Sequence, residues 1–160
     1  MREPMEAEAT RTGHEERADG ARRDCTTVQL IDRLRQAGLR PTRQRRALAH
    51  LLLSKGHRHI SAEALHEEAL SANVRVSLAT VYNTLHQFSA AGLLRAVAVE
   101  SSKTYFDTNT DDHHHFFIEE ENRVVDVPAS HIAVTDLPEA PEGMEIARVD
   151  VIVRLRRKDG

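Results

Sequence analysis

The chain has 160 residues, 40% of them hydrophobic, with 4% aromatics, no tryptophan and one cysteine, Cys25. That length suits one domain or two small ones sharing an interface; the single cysteine excludes an internal disulfide, no apolar run is long enough to cross a membrane, and the first 24 residues lack the apolar stretch of a signal peptide, so a soluble cytoplasmic protein is expected. The net charge of −3 conceals a segregation, with eight Lys/Arg against Asp32 alone from Thr26 to Ile60 and twelve acids against Lys103 and Arg123 from Glu100 to Glu145, which predicts a basic half for a polyanion and an acidic half for cations.

Residues 1–24 are poor in apolar side chains and are expected to form a disordered tail. TTVQLIDRLRQAG predicts a helix capped by Thr26 or Thr27, with Val28, Ile31 and Leu34 on one face and Gly38 as its stop. RPTRQRRALAHLLLSKG predicts a second helix from about Thr42 to Gly56. Its first turns carry Arg43, Arg45 and Arg46, where the helix dipole adds positive potential, and its later turns carry Leu48, Leu51 and Leu52.

HISAEALHEEAL and RVSLATVYNTLHQFSAAG repeat one start pattern. Ser61 and Ser77 are N-caps, Ile60 with Leu65 and Val76 with Val81 are hydrophobic staples, and Gly92 closes the second helix. The short SANVRV link gives helix-turn-helix proportions. LLRAVAV and KTYFD, joined by ESS, alternate like strands, so the whole pattern describes a winged helix. On the helix from Ser77, Leu78, Val81, Leu85 and Phe88 form one stripe expected to face the core. Ala79, Tyr82, Asn83 and His86 form another, and the helix bears no acid. An Asn for adenine and a Tyr ring for a thymine methyl suit the major groove; a merely neutral solvated face is the plainer alternative.

The C-terminal half predicts strands at HHHFFI and RVVDV around the turn EEEN, and an alternating strand in GMEIARVDVIVRLRRK with Val149, Val151, Val153 and Leu155 on one side. PASHIAVTDLPEAPEG between them allows at most a brief helix. A sheet this small is a reasonable dimerisation module. In the histidine tract, His113 and His115 share one strand face and His114 takes the other, so a His-x-His pair that can grip a metal is set against a solvated His-rich loop. His50, His66 and His86 have no partner at ligand spacing and are expected to be surface or satisfied core histidines.

LRPTRQRRALAHLL, HISAEALHEEA, VSLATVYNTLHQFSAAGLL and YFDT followed by HHHFF, in this order, resemble the ferric uptake regulator family from about residue 28 to the C-terminus. RPTRQR, SLATVYNTL, KTYFDTN and the triple histidine look closest to its iron response regulator branch. The resemblance implies an α+β fold: a winged helix-turn-helix domain over residues 25–108, and a small α/β domain for dimerisation and ligand sensing over residues 109–160. It implies a homodimer on A/T-rich palindromic double-stranded DNA, acting mainly as an iron-responsive repressor of iron and haem metabolism genes.

Residue by residue, Tyr82 matches the recognition-helix tyrosine, Asn83 stands where the family usually has a basic residue, and Arg40 matches the basic residue that reaches the minor groove. With the helix faces above, the candidate DNA-contacting set is Arg40, Thr42, Arg43, Ser77, Ala79, Thr80, Tyr82 and Asn83. His59, Asp107, His113 and His115 match the regulatory metal site, which implies Fe²⁺ or Mn²⁺, with Zn²⁺ accepted in vitro. Haem at His113, His114 and His115 is the other ligand the branch implies, although Cys25 is followed by Thr26 where that branch can carry Cys-Pro. Ile118 and Glu121 occupy the positions of the family's C-x-x-C pair, so no four-cysteine structural zinc is expected. A histidine expected in the last strand falls at about Val149. A metallohydrolase or a metal buffer without a DNA target would also use the His/Asp cluster. Neither explains the basic half or the acid-free helix, and no second catalytic constellation is present, so an enzyme is not expected.

Overall fold

The structure, a computed structural model, describes residues 26–100 and 103–158. The tail expected over residues 1–24, Cys25 and the Ser101–Ser102 part of the wing turn lie outside them. Four helices come first, and each starts on a side-chain cap. In α1 (Thr27–Gln36), Thr26 accepts from the Gln29 N–H while Gln29 accepts from the Thr26 N–H, a reciprocal box. Thr42 caps α2 (Arg43–Leu53), Ser61 caps α3 (Ala62–Ser71) and Ser77 caps α4 (Leu78–Ala90), each accepting from the backbone N–H three residues on. These satisfy donors that a helix start leaves without an intrahelical partner.

The helices close around Leu30, Leu34, Leu48, Leu52, Leu65, Val81, Leu85, Phe88 and Phe106, and both predicted staples are buried pairs. Removing one such side chain, as in Leu85→Ala, costs about 2–5 kcal/mol. Three residues of the apolar faces read from the sequence lie outside this core: Ile31, which is half-buried, and two in first turns. Val28 is 69% exposed and Leu78 is 37% exposed. Both sit in the first turn, where helical side chains lean back past the helix end and away from the core. Leu30 takes the place of Val28, pairing with Leu34, and Thr84 joins the buried face of α4.

Between α2 and α3 runs the short strand β1 (His59–Ile60). After α4 come β2 (Arg95–Glu100) and β3 (Lys103–Asp107), which complete an antiparallel sheet in the order β1-β3-β2. The central position of β3 puts Asp107 opposite both His59 and Arg95. The second sheet holds β4 (His113–Ile118), antiparallel β5 (Arg123–Pro128) and β6 (Ile152–Leu155), in the order β5-β4-β6. In it His115 faces Asp126 across one ladder and Ile152 across the other. β6 runs parallel to β4, which requires the long crossover through residues 129–151 and its one short 3-10 turn at Ala129–His131. The predicted last strand is therefore cut to four residues, because the stretch before it has no neighbouring strand to pair with. Val97 and Val99 of β2 pack with Phe117 of β4 and Val124 of β5, which joins the two sheets.

Candidate metal centre and nucleic-acid face

Strand alternation places the donors. On β4, His113 and His115 project to one face and His114 to the other, as the period of two dictates. β1 delivers His59 and β3 delivers Asp107 to the same point, and a fifth donor, Asp126 of β5, arrives because it is the cross-strand partner of His115. One ligand atom from each of these five residues lies within 4.8 Å of every other. Oδ2 of Asp107 is 2.8 Å from His113 Nε2, 3.1 Å from His115 Nε2 and 3.2 Å from His59 Nε2. Oδ1 of Asp126 is 2.8 Å from His59 Nε2 and 3.3 Å from His113 Nε2. The four residues the resemblance named are thus brought together. Asp126 was missed, since an acid among the twelve of this half carries no spacing signal until the β4–β5 register is known.

Asn109 sets the aim of both carboxylates. Its backbone N–H donates to Asp107 Oδ1 at 2.8 Å and its side-chain amide to Asp126 Oδ2 at 3.1 Å, which leaves Asp107 Oδ2 and Asp126 Oδ1 turned to the imidazoles. His113 Nδ1 lies 2.7 Å from the Asp111 carbonyl, the outer-shell contact that commits a ligating histidine to its other nitrogen. Asp107 is fully buried, which acts to raise its pKa. Hydrogen bonds from His115, His59 and the Asn109 N–H outweigh that and hold it well below the usual carboxylate range. His59 Nε2 and Asp126 Oδ1 are close, yet each is buried without a hydrogen bond of acceptable geometry. Orphaned buried polar atoms need a partner, and five converging donors of this kind fit a divalent cation. The mixed nitrogen and oxygen set suits Fe²⁺, Mn²⁺ or Zn²⁺; five donors exceed the four of a usual zinc site.

His114 points away from this cluster. It is 7% exposed, its Nδ1 has no partner, and it lines a cavity of about 530 Å³ with Ile132, Val134, Leu137, Arg148 and Val149. The three consecutive histidines therefore do not converge on one point: His113 and His115 are closed in by carboxylates, and of the three only His114 meets the cavity. Phe117 is core and packs near Tyr105. At positions 118 to 121, where the resemblance would put thiolates, the turn is held instead by Glu119 with Arg154 at 3.3 Å and Glu121 with Arg123 at 2.9 Å. His66 Nε2 lies 3.1 Å from the Val76 carbonyl, and the exposed His86 lies edge-on to Phe106.

Arg40, Thr42, Arg43, Ser77, Ala79 and Asn83 are exposed, and Thr80 and Tyr82 are partly so. Thr42 and Ser77 already use their hydroxyls as caps, and Thr80 Oγ1 is 2.9 Å from Ser77 Oγ. Tyr82 donates to Glu63 Oε1 at 2.6 Å. Arg45, grouped with Arg43 and Arg46 by sequence, is tied to Gln87 of α4 at 2.8 Å and to the Arg40 carbonyl at 3.0 Å, and so braces α2 against α4.

Comparison with known proteins agrees with this geometry. A family model described as the Ferric uptake regulator family matches residues 36–154. The peroxide-responsive repressor PerR of Staphylococcus aureus is 35% identical over 82 residues, a match covering 51% of this chain and 55% of that protein, so the chain spans about half the length of the curated relatives it matches. The ferric uptake regulator of Pseudomonas aeruginosa, solved with manganese, superposes with a TM-score of 0.64 at 27% identity, over 81% of this chain and 98% of that one. The Vibrio cholerae ferric uptake regulator, at 22% identity and a TM-score of 0.62 over 79% of this chain and 98% of its own, shares the fold.

Proposed function

Since the chain belongs to the ferric uptake regulator family, whose members are metal-responsive, DNA-binding transcriptional regulators that dimerise and are not enzymes, we propose that it is a cytoplasmic, iron-responsive repressor of iron and haem metabolism genes. One observation carries this reading: the five-donor cluster draws His59 and Asp107 from the winged-helix half and His113, His115 and Asp126 from the sheet half. We take residues 1–24 as a tail, 25–108 as the DNA-binding domain and 109–160 as the dimerisation and sensing domain. A cation held by both halves favours one arrangement of them over all others, and a ligand shifts a conformational equilibrium only through such a difference in affinity.

Fe²⁺ or Mn²⁺ suits the two carboxylates and three imidazoles, and the 27%-identical relative solved with manganese supports the choice. In the fixed arrangement two copies of α4 enter successive major grooves, with Tyr82 and Asn83 at base edges and Arg40 toward the narrow minor groove of A/T tracts, which makes an A/T-rich palindrome the expected operator. The exposed Val134, Leu137, Met144 and Ile146 of the sheet half supply apolar surface for the dimer. The test is anaerobic titration of an A/T-rich palindromic duplex with and without Fe²⁺ or Mn²⁺; affinity independent of metal refutes this reading. A second ligand, haem, rests on His114, whose unpartnered Nδ1 and adjoining cavity leave an imidazole free for iron. A haem absorption titration that is the same for wild type and His114→Ala removes it.

A further inference from the structure

Beside the donor cluster, a second set of contacts joins the two sheets without any metal. Arg95 opens β2, five residues after α4 ends at Ala90, and its backbone pairs with Asp107. Its side chain is buried. Nη1 donates to the Asp111 carbonyl at 3.2 Å and lies 3.3 Å from His113 Nδ1, while Nη2 donates to the Asp150 carboxylate just ahead of β6. One guanidinium therefore touches the ring of a candidate ligand, the carbonyl that orients that ring, and the start of the last strand.

We infer that Arg95 and Asp150 form a clasp that positions His113 for the metal and carries metal occupancy to the recognition helix. This rests on the regulator reading above. The partner of a histidine's second nitrogen fixes which nitrogen faces the metal and at what angle. Here that partner is the Asp111 carbonyl, and Arg95 holds it in place. A displacement of His113 is felt at Arg95, and from Arg95 only four residues, including the buried Leu93 and Leu94, lead back to α4. The planar fork matters because it reaches in two directions at once, toward Asp111 and toward Asp150; a lysine ammonium, a single point of charge on a flexible stem, cannot span both. Arg148 bonds the same Asp150 oxygen at 2.9 Å but is 40% exposed and belongs to the rim of the network.

The experiment uses the full-length protein and its Arg95→Lys, Asp150→Asn and Arg148→Ala variants. Free Mn²⁺ is followed by electron paramagnetic resonance to obtain Mn²⁺ affinity, and duplex affinity is measured by fluorescence anisotropy without Mn²⁺ and at saturating Mn²⁺. Circular dichroism checks folding, and if Arg95→Lys does not fold, Asp150→Asn decides. Arg95→Lys and Asp150→Asn should lose about 10–100-fold in Mn²⁺ affinity, as outer-shell changes do. They should also shrink the Mn²⁺-dependent gain in duplex affinity even at saturation, while Arg148→Ala stays close to wild type on both. Folded Arg95→Lys or Asp150→Asn proteins with wild-type Mn²⁺ affinity and wild-type gain overturn the clasp, as does an equal loss from Arg148→Ala. If wild-type duplex binding ignores Mn²⁺, the regulator reading and the transmission half fail together, and Mn²⁺ affinity alone judges the positioning of His113.

Discussion

Tyr82 of α4 donates its phenolic hydrogen to Glu63 of α3 across 2.6 Å, so the aromatic group proposed to read DNA is held by the one acid in the first turn of the neighbouring helix. This bond is the leading cause of both the lowered pKa of Glu63 and the raised pKa of Tyr82. Misreading one base pair of a site costs about 1–3 kcal/mol, which bounds what a Tyr on a thymine methyl contributes. Tyr82→Ala should weaken the cognate duplex by about tenfold or more and narrow its advantage over scrambled DNA. Glu63→Gln keeps an acceptor for the hydroxyl but removes a negative charge from the face, so binding should strengthen on every duplex, most at low salt. Anisotropy titrations on cognate and scrambled duplexes check both; an unchanged ratio for Tyr82→Ala removes α4 from the groove.

Arg43 and Arg46 are exposed and free to meet phosphates, whereas Arg45 spends its guanidinium on Gln87 and the Arg40 carbonyl. Each phosphate contact contributes about 0.9 to the slope of log affinity against log salt. In the proposed dimer each substitution removes two such contacts, so Arg43→Ala and Arg46→Ala should each flatten that slope by about two units. Arg45→Ala should leave the slope alone and lower the melting temperature, by loosening α2 from α4. A slope change in Arg45→Ala equal to the other two contradicts the bracing role.

Metal affinity separates the two faces of β4. Asp126→Ala and His59→Ala remove donors from the cluster and should reduce Mn²⁺ affinity by about tenfold or more, while His114→Ala should leave it near wild type. Calorimetric titration reads this directly, and equal losses from all three changes would falsify the two-face assignment. Stripping metal with a chelator should keep the far-UV spectrum, because ion pairs, Glu121–Arg123 to β5 and Glu119–Arg154 to β6, and not thiolates, hold the turn after β4.

Glu68 fixes a pH window for stability. Hydrogen bonds from Arg58 lead, with help from Lys55, in lowering its pKa to about 2 against the opposing effect of burial. A carboxylate lowered on folding contributes stability that is complete above its unfolded value, about 4.5, and is lost as pH falls through about 2. Because the pair is partly exposed, the contribution is about 1–2 kcal/mol. Glu68→Gln should lose about that much stability at pH 7 in urea unfolding and match wild type near pH 2. A difference that persists at pH 2 would assign the loss to packing instead.

Local rules made much of this protein legible from its residues alone. Caps at Thr26, Thr42, Ser61 and Ser77, the two staples and the alternation of RAVAV act over four or five residues, so their signals lie next to each other in the chain. The period of a strand alone separated His114 from His113 and His115. What the chain could not state by itself depended on pairing between distant segments. Asp126 became a donor only when the β4–β5 register set it opposite His115. Arg95 met Asp150 only once β6 turned parallel to β4, and Arg45 left the phosphate-facing set only when α4 brought Gln87 beside it. Val28 and Leu78 had the right helical spacing but sit in the first turn, which left them exposed. Spacing determines which side chains share a face, and only packing determines what that face meets.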